Sequence, residues 1–95
     1  MGFFKDKYRI TGKVTYTVEE TDIFNKCKDR TTGICHEDDR LILIKENLSD
    51  KEYTLTLIHE LIHAVEYEYN IHIPHKVVYK LERAVYRFLK LNKFL

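Results

Sequence analysis

His59-Glu60-Leu61-Ile62-His63 lies inside the apolar run from Leu57 and Ile58 to Ala64 and Val65. The spacing predicts a helix, because residues four apart stand one above the other on one helical face. Two imidazoles so placed can grip one metal ion from the same side. The glutamate beside the first of them is then close enough to work on a water held by that ion. Both intervening positions are apolar, and no Pro or Gly interrupts the pattern.

The flanking residues extend this helix over about 50–69. Ser49 or Asp50 is placed to cap it, and Ser49 with Glu52 fits a capping box. At about 100° per residue, Leu55, Ile58, Ile62, Val65 and Tyr69 form one apolar stripe, which predicts the core face. His59, His63 and Glu66 form a neighbouring stripe, so one helix can pack and coordinate at once. Pro74 then punctuates the chain, and a second helix is predicted over about 75–92. Val77, Val78, Leu81, Val85, Phe88 and Leu89 make its apolar stripe. Lys80, Arg83, Arg87 and Lys90 make its basic face.

A catalytic zinc takes three protein ligands and keeps a fourth position for water. His59 and His63 supply two. Glu82 is the favoured third: it stands on the second helix at the edge of an apolar stripe, where an unpaired carboxylate is expensive. His75, at the start of that helix, is the alternative. His72 lies in the connecting loop. Glu66 is on the right face, but roughly 10 Å along the axis from His59, and would have to reach backwards. A role orienting His59 or His63 is open to it, but a glutamate so placed is more commonly just solvated.

Upstream, the chain reads as β. Tyr8 to Val18 is rich in Tyr, Ile, Val and Thr, with Ile10, Val14, Tyr16 and Val18 at even spacing. Gly12 predicts a bulge or bend. Residues 21–30 read as a loop or weak strand, Thr31-Thr32-Gly33 as a turn and Ile34 to His36 as a short strand. Leu41-Ile42-Leu43-Ile44 is the clearest strand, apolar on both sides and so predicted to be covered. The expected fold is α+β over residues 1–95 as a single domain. A small N-terminal antiparallel sheet, with strands within about 8–44, packs on two C-terminal helices.

Ninety-five residues with 44% hydrophobic composition can build one core. Formal net charge is +1, but it is unevenly spread. Residues 1–70 carry 10 Lys/Arg against 14 Asp/Glu, and residues 71–95 carry six basic residues against one acid, Glu82. The first residues show no signal-peptide pattern, and no apolar run approaches the length of a membrane span. A cytoplasmic protein without membrane contact is expected. Cys27 and Cys35 are the two cysteines. A hairpin would bring them into disulfide reach, although nothing else points to an oxidising compartment. Neither a C-x-x-C pair nor a fourth ligand supports a site on Cys27, Cys35 and His36.

The segment from His59 to Glu82 resembles the small HExxH zinc metallopeptidases. It is similar to the minimal gluzincin-like domains of the ImmA/IrrE type, often encoded in phages and mobile elements. Gly33-Ile34-Cys35, a polar turn, Leu41 to Ile44 and a capped helix fit the same layout, so the resemblance covers about residues 31–92. SprT-like proteases are the second resemblance, and there His75 would be the third ligand. The metzincin pattern is excluded, because Glu66 and Tyr69 stand where it needs Gly and His. A YbeY-like endoribonuclease is disfavoured, because its third His would fall at Tyr69.

The resemblance implies a Zn²⁺ held by His59, His63 and Glu82, with Glu60 as general base in peptide hydrolysis. Tyr79, His75 or His72 would supply a further donor. Leu41 to Ile44 would be the edge strand on which an extended peptide pairs. The expected partner is therefore a protein or peptide substrate. Two other readings stand beside this one. An HExxH zinc domain that no longer cleaves would serve as an interaction module. The basic face of the last helix, extended by Lys93, would bind nucleic acid, alone or together with protease activity.

Overall fold

The computed structural model describes residues 6–26 and 31–95. The stretch from Tyr8 to Val18 divides at the predicted bend into β1 (Lys7–Arg9) and β2 (Thr15–Thr21), which pair antiparallel. In the turn between them the amide of Ile10 donates to the Val14 carbonyl at 2.8 Å. A short 3-10 helix over Ile23–Lys26 follows. Then β3 (Gly33–His36) and β4 (Leu41–Lys45) form a second antiparallel hairpin.

The four strands lie in the order β1-β2-β4-β3, with β4 parallel to β2. The sheet is therefore mixed, not antiparallel as expected. The chain leaves β2 and crosses to the far edge for β3. It then turns back to lay β4 into the space between, so β2 and β4 point the same way. Burial favours this route, since it gives the most apolar strand two hydrogen-bonded neighbours. Ile42 and Ile44 are fully buried and Leu41 and Leu43 half-buried. A second expectation is corrected with it: β4 is interior, and the edge strand beside α1 is β3.

The helices are α1 (Asp50–Glu68) and α2 (His75–Leu91). Ser49 caps α1 as predicted. Its hydroxyl oxygen accepts from the Glu52 amide at 3.2 Å, and the hydroxyl donates to the Glu52 carboxylate at 2.9 Å. Asn70, with φ 53, ends α1 in the left-handed region. The Ile71 amide there donates to the Glu66 carbonyl at 2.8 Å, a Schellman closure. Pro74 precedes α2, where its missing N–H costs nothing.

The face of α1 that joins the core differs from the predicted stripe. Leu57 and Ala64 pack with Tyr16, Val18, Ile42 and Ile44, and Tyr53 and Leu61 join them. Tyr69, predicted to lie in the core, is exposed, and its hydroxyl donates to the Ile10 carbonyl at 3.0 Å. The reason is that α1 is central: it contacts β3, β4 and α2. Apolar residues therefore occur all round it, and their period no longer singles out one face. Tyr16 fixes the far end of α1 to the sheet by donating to the Glu68 carboxylate at 2.7 Å.

Candidate metal centre

Two turns of α1 and the start of α2 form the site. The four-residue spacing sets His59 edge-on to His63, with ring centroids 4.7 Å apart. The chain reverses through residues 69–74 and brings His75 over both, at 5.0 Å from His59 and 5.4 Å from His63. The Nε2 atom of His59 lies 3.1 Å from that of His63 and 3.2 Å from that of His75. All three nitrogens fall within 4.8 Å of one another.

The opposite ring nitrogens explain the orientation. His59 Nδ1 lies 3.1 Å from Glu82 Oε2, and His63 Nδ1 lies 2.9 Å from Glu66 Oε1. A carboxylate accepts, so in each neutral ring Nδ1 carries the proton and Nε2 the lone pair. Burial first, then His63 and His75, lowers the His59 pKa from 6.5 to about 4, so this ring is neutral near pH 7. With both rings in that form, the Nε2 lone pairs of His59 and His63 face each other at 3.1 Å, an arrangement that a cation between them would stabilise. Nitrogens on a tetrahedral zinc at about 2.0–2.1 Å stand roughly 3.3 Å apart, close to the spacing found here. His59, His63 and His75 lie close enough to hold a metal ion.

The structure thus places the sequence candidates differently from one another. His75 joins His59 and His63. Glu82 lines the same pocket but bonds the far side of the His59 ring. Its carboxyl is pushed up by burial, against the pull of Arg83 and His63. Glu66 does for His63 what Glu82 does for His59. Its second oxygen also accepts the Ile73 amide at 2.9 Å, two residues before His75. Burial raises the Glu66 pKa, but the Ile73 amide and His63 outweigh it and the net shift is down. His72 is exposed and does not line the pocket.

Glu60 is buried between the histidines and β3. Its pKa is raised from 4.5 to about 7 by burial, then by Glu82 and Glu37. Gly33 makes this approach possible. A Cβ there would lie 2.6 Å from Thr56 Cγ2 and 3.1 Å from Glu60 Cγ. Thr32 and Thr56 hydroxyls meet at 2.8 Å and tie the start of β3 to α1. The result is a pocket of about 700 Å³, walled by residues 31–34 on one side and by α1 and α2 on the other. Tyr79, one turn beyond His75, lines it and tilts against His59 at 5.1 Å between centroids.

The sequence favoured His59, His63 and Glu82 as ligands, with His75 as the alternative, and the structure brings all four to one pocket with Glu60. Sequence reasoning missed the wall at residues 31–34, for which Gly33 beside two threonines was the available signal. Cys35 is a free thiol with its pKa pushed up to about 12, first by burial. Cys27, its suggested disulfide partner, lies outside the described residues. Comparison with family models, with curated proteins and with solved structures finds no match for this chain.

Proposed function

We propose that this chain is a zinc-dependent metallopeptidase with His59, His63 and His75 as ligands. Glu82, favoured from sequence as the third ligand, instead orients His59. The observation that carries the reading is the convergence of three Nε2 atoms beside a buried glutamate. A structural site needs the first but has no use for the second, which disfavours the non-cleaving zinc module. A third histidine from the following helix is what the SprT-like resemblance implies, so that pattern fits better than the gluzincin-like one.

Zinc, when bound, lowers the pKa of a coordinated water and polarises a carbonyl. The remaining work falls to the chain. Glu60 takes a proton from the attacking water and passes it to the leaving amine. Its raised pKa suits both steps near neutral pH. The edge of β3 not paired with β4 offers backbone groups to an extended peptide, and Ile34 and Leu55 line the pocket beside it. Tyr79 is the donor of choice for the carbonyl oxygen, because it lines the pocket whereas His72 does not.

Metal analysis and cleavage of an unstructured protein substrate test this together. The purified chain should carry about one zinc, and His59→Ala or His63→Ala should lose it. Glu60→Gln should keep zinc while turnover falls by at least about 100-fold. A chain that binds no zinc, or a Glu60→Gln variant as active as wild type, would sink the proposal.

A further inference from the structure

At 100° per residue, α2 divides into three sectors. His75, Val78, Tyr79 and Glu82 face α1 and the pocket. Lys76, Lys80, Arg83, Arg87 and Lys90 form a basic sector, every member exposed. The third sector holds Val77, Leu81, Val85, Phe88 and Leu91. Most of these residues belong to the apolar stripe read from the sequence, yet α2 buries only Val78 and Glu82. Phe88 is 59% and Leu91 68% exposed, and Val77, Leu81 and Val85 are exposed as well. An apolar ridge roughly 21 Å long that no described residue covers marks a docking surface.

The charges say what docks there. The one acid on α2, Glu82, is buried against His59, so every charge that α2 exposes is positive. Nucleic acid would meet the basic sector but leave the apolar ridge in water. A second copy packed antiparallel on the ridge would set Lys80 and Arg87 against their own counterparts, with no exposed acid on α2 to offset them. An anionic bilayer satisfies both sectors, as it takes apolar side chains at the acyl boundary and basic ones among the headgroup phosphates.

We propose that α2 seats this protein on an anionic phospholipid surface, with Phe88 and Leu91 entering the acyl boundary and Lys80, Arg87 and Lys90 on the headgroups. This is docking and not spanning: no helix among the described residues is long and apolar enough to cross a membrane. Lack of a span led the sequence reading to expect no membrane contact, but an amphipathic helix needs no span. The pocket sector lies about 130° round the helix from the ridge, so the pocket mouth stays in water beside the bilayer.

Co-sedimentation of the full chain with vesicles tests this, using phosphatidylcholine alone and phosphatidylcholine mixed with phosphatidylserine. The chain should pellet with the mixed vesicles, about tenfold less with the neutral ones, and less as salt rises. Phe88→Ser with Leu91→Ser should weaken binding about tenfold. So should Lys80→Glu with Arg87→Glu. Both variants should keep wild-type far-ultraviolet dichroism and zinc content. Wild type left in the supernatant would overturn the proposal, as would binding indifferent to both variants. Retention on single-stranded nucleic acid in place of vesicles would also overturn it. So would a dimer in analytical sedimentation that Phe88→Ser with Leu91→Ser makes monomeric.

Discussion

Glu66 does two things at once. One oxygen fixes the His63 ring and the other holds the Ile73 amide, which sets the chain that delivers His75. Losing it should loosen two of the three proposed ligands. Glu66→Gln keeps the shape but leaves one acceptor oxygen for two donors, so one of the two bonds is lost, and zinc affinity should fall about 10- to 100-fold in competition with a chromophoric chelator. Glu82→Gln acts on one ring only and should cost no more than that. His75→Ala removes a proposed ligand and should cost more than either. The reverse order, with Glu82→Gln the most damaging, would make Glu82 the ligand and His75 a bystander.

Among the elements, the closest fit is between β3 and α1. Gly33 has no Cβ, and its neighbours are the stiff, branched Thr56 and the buried stem of Glu60. Gly33→Ala should therefore force β3 away from the helix and destabilise the fold by about 1–3 kcal/mol in urea unfolding. Thr56→Ser removes the methyl that a new Cβ would strike, so adding it should recover much of that loss. If Gly33→Ala alone is neutral, the close approach is not needed. The α1 cap and the Pro74 break are local, and both were legible in the sequence because side chain and backbone within a few residues settle them. The packing face of α1 was not. A helix covered by a sheet on one side and by α2 on another carries apolar residues all round, and periodicity alone cannot rank its faces.

At the scale of the molecule, two buried site groups titrate in opposite directions once metal is removed by a chelator. His59 has its pKa lowered to about 4 in the fold. It contributes stability above the unfolded value, near 6.5, that is lost as pH falls through 4. Glu60 has its pKa raised to about 7. It contributes stability below its unfolded value, near 4.5, that is lost as pH rises through 7. Each shift corresponds to ~3 kcal/mol. Between pH 4.5 and 6.5 they oppose each other, so the Tm of the metal-free protein should be nearly flat. Glu60→Gln removes one side, and its metal-free Tm should climb over the same range. A flat profile in that variant would mean that the His59 shift is absent.

The sequence by itself determined the α+β class, the two helices with their caps and breaks, and the pairing of His59 with His63. All of these depend on residues a few positions apart. Tertiary structure alone decided the rest. It ran β4 parallel to β2, made β3 the edge beside the pocket, and brought His75 to the histidine pair. It also turned Glu82 to the back of His59 and left one side of α2 uncovered. Each of those outcomes joins residues 12 or more apart in the chain, or depends on which surfaces neighbouring elements already cover. Local pattern carries no record of either.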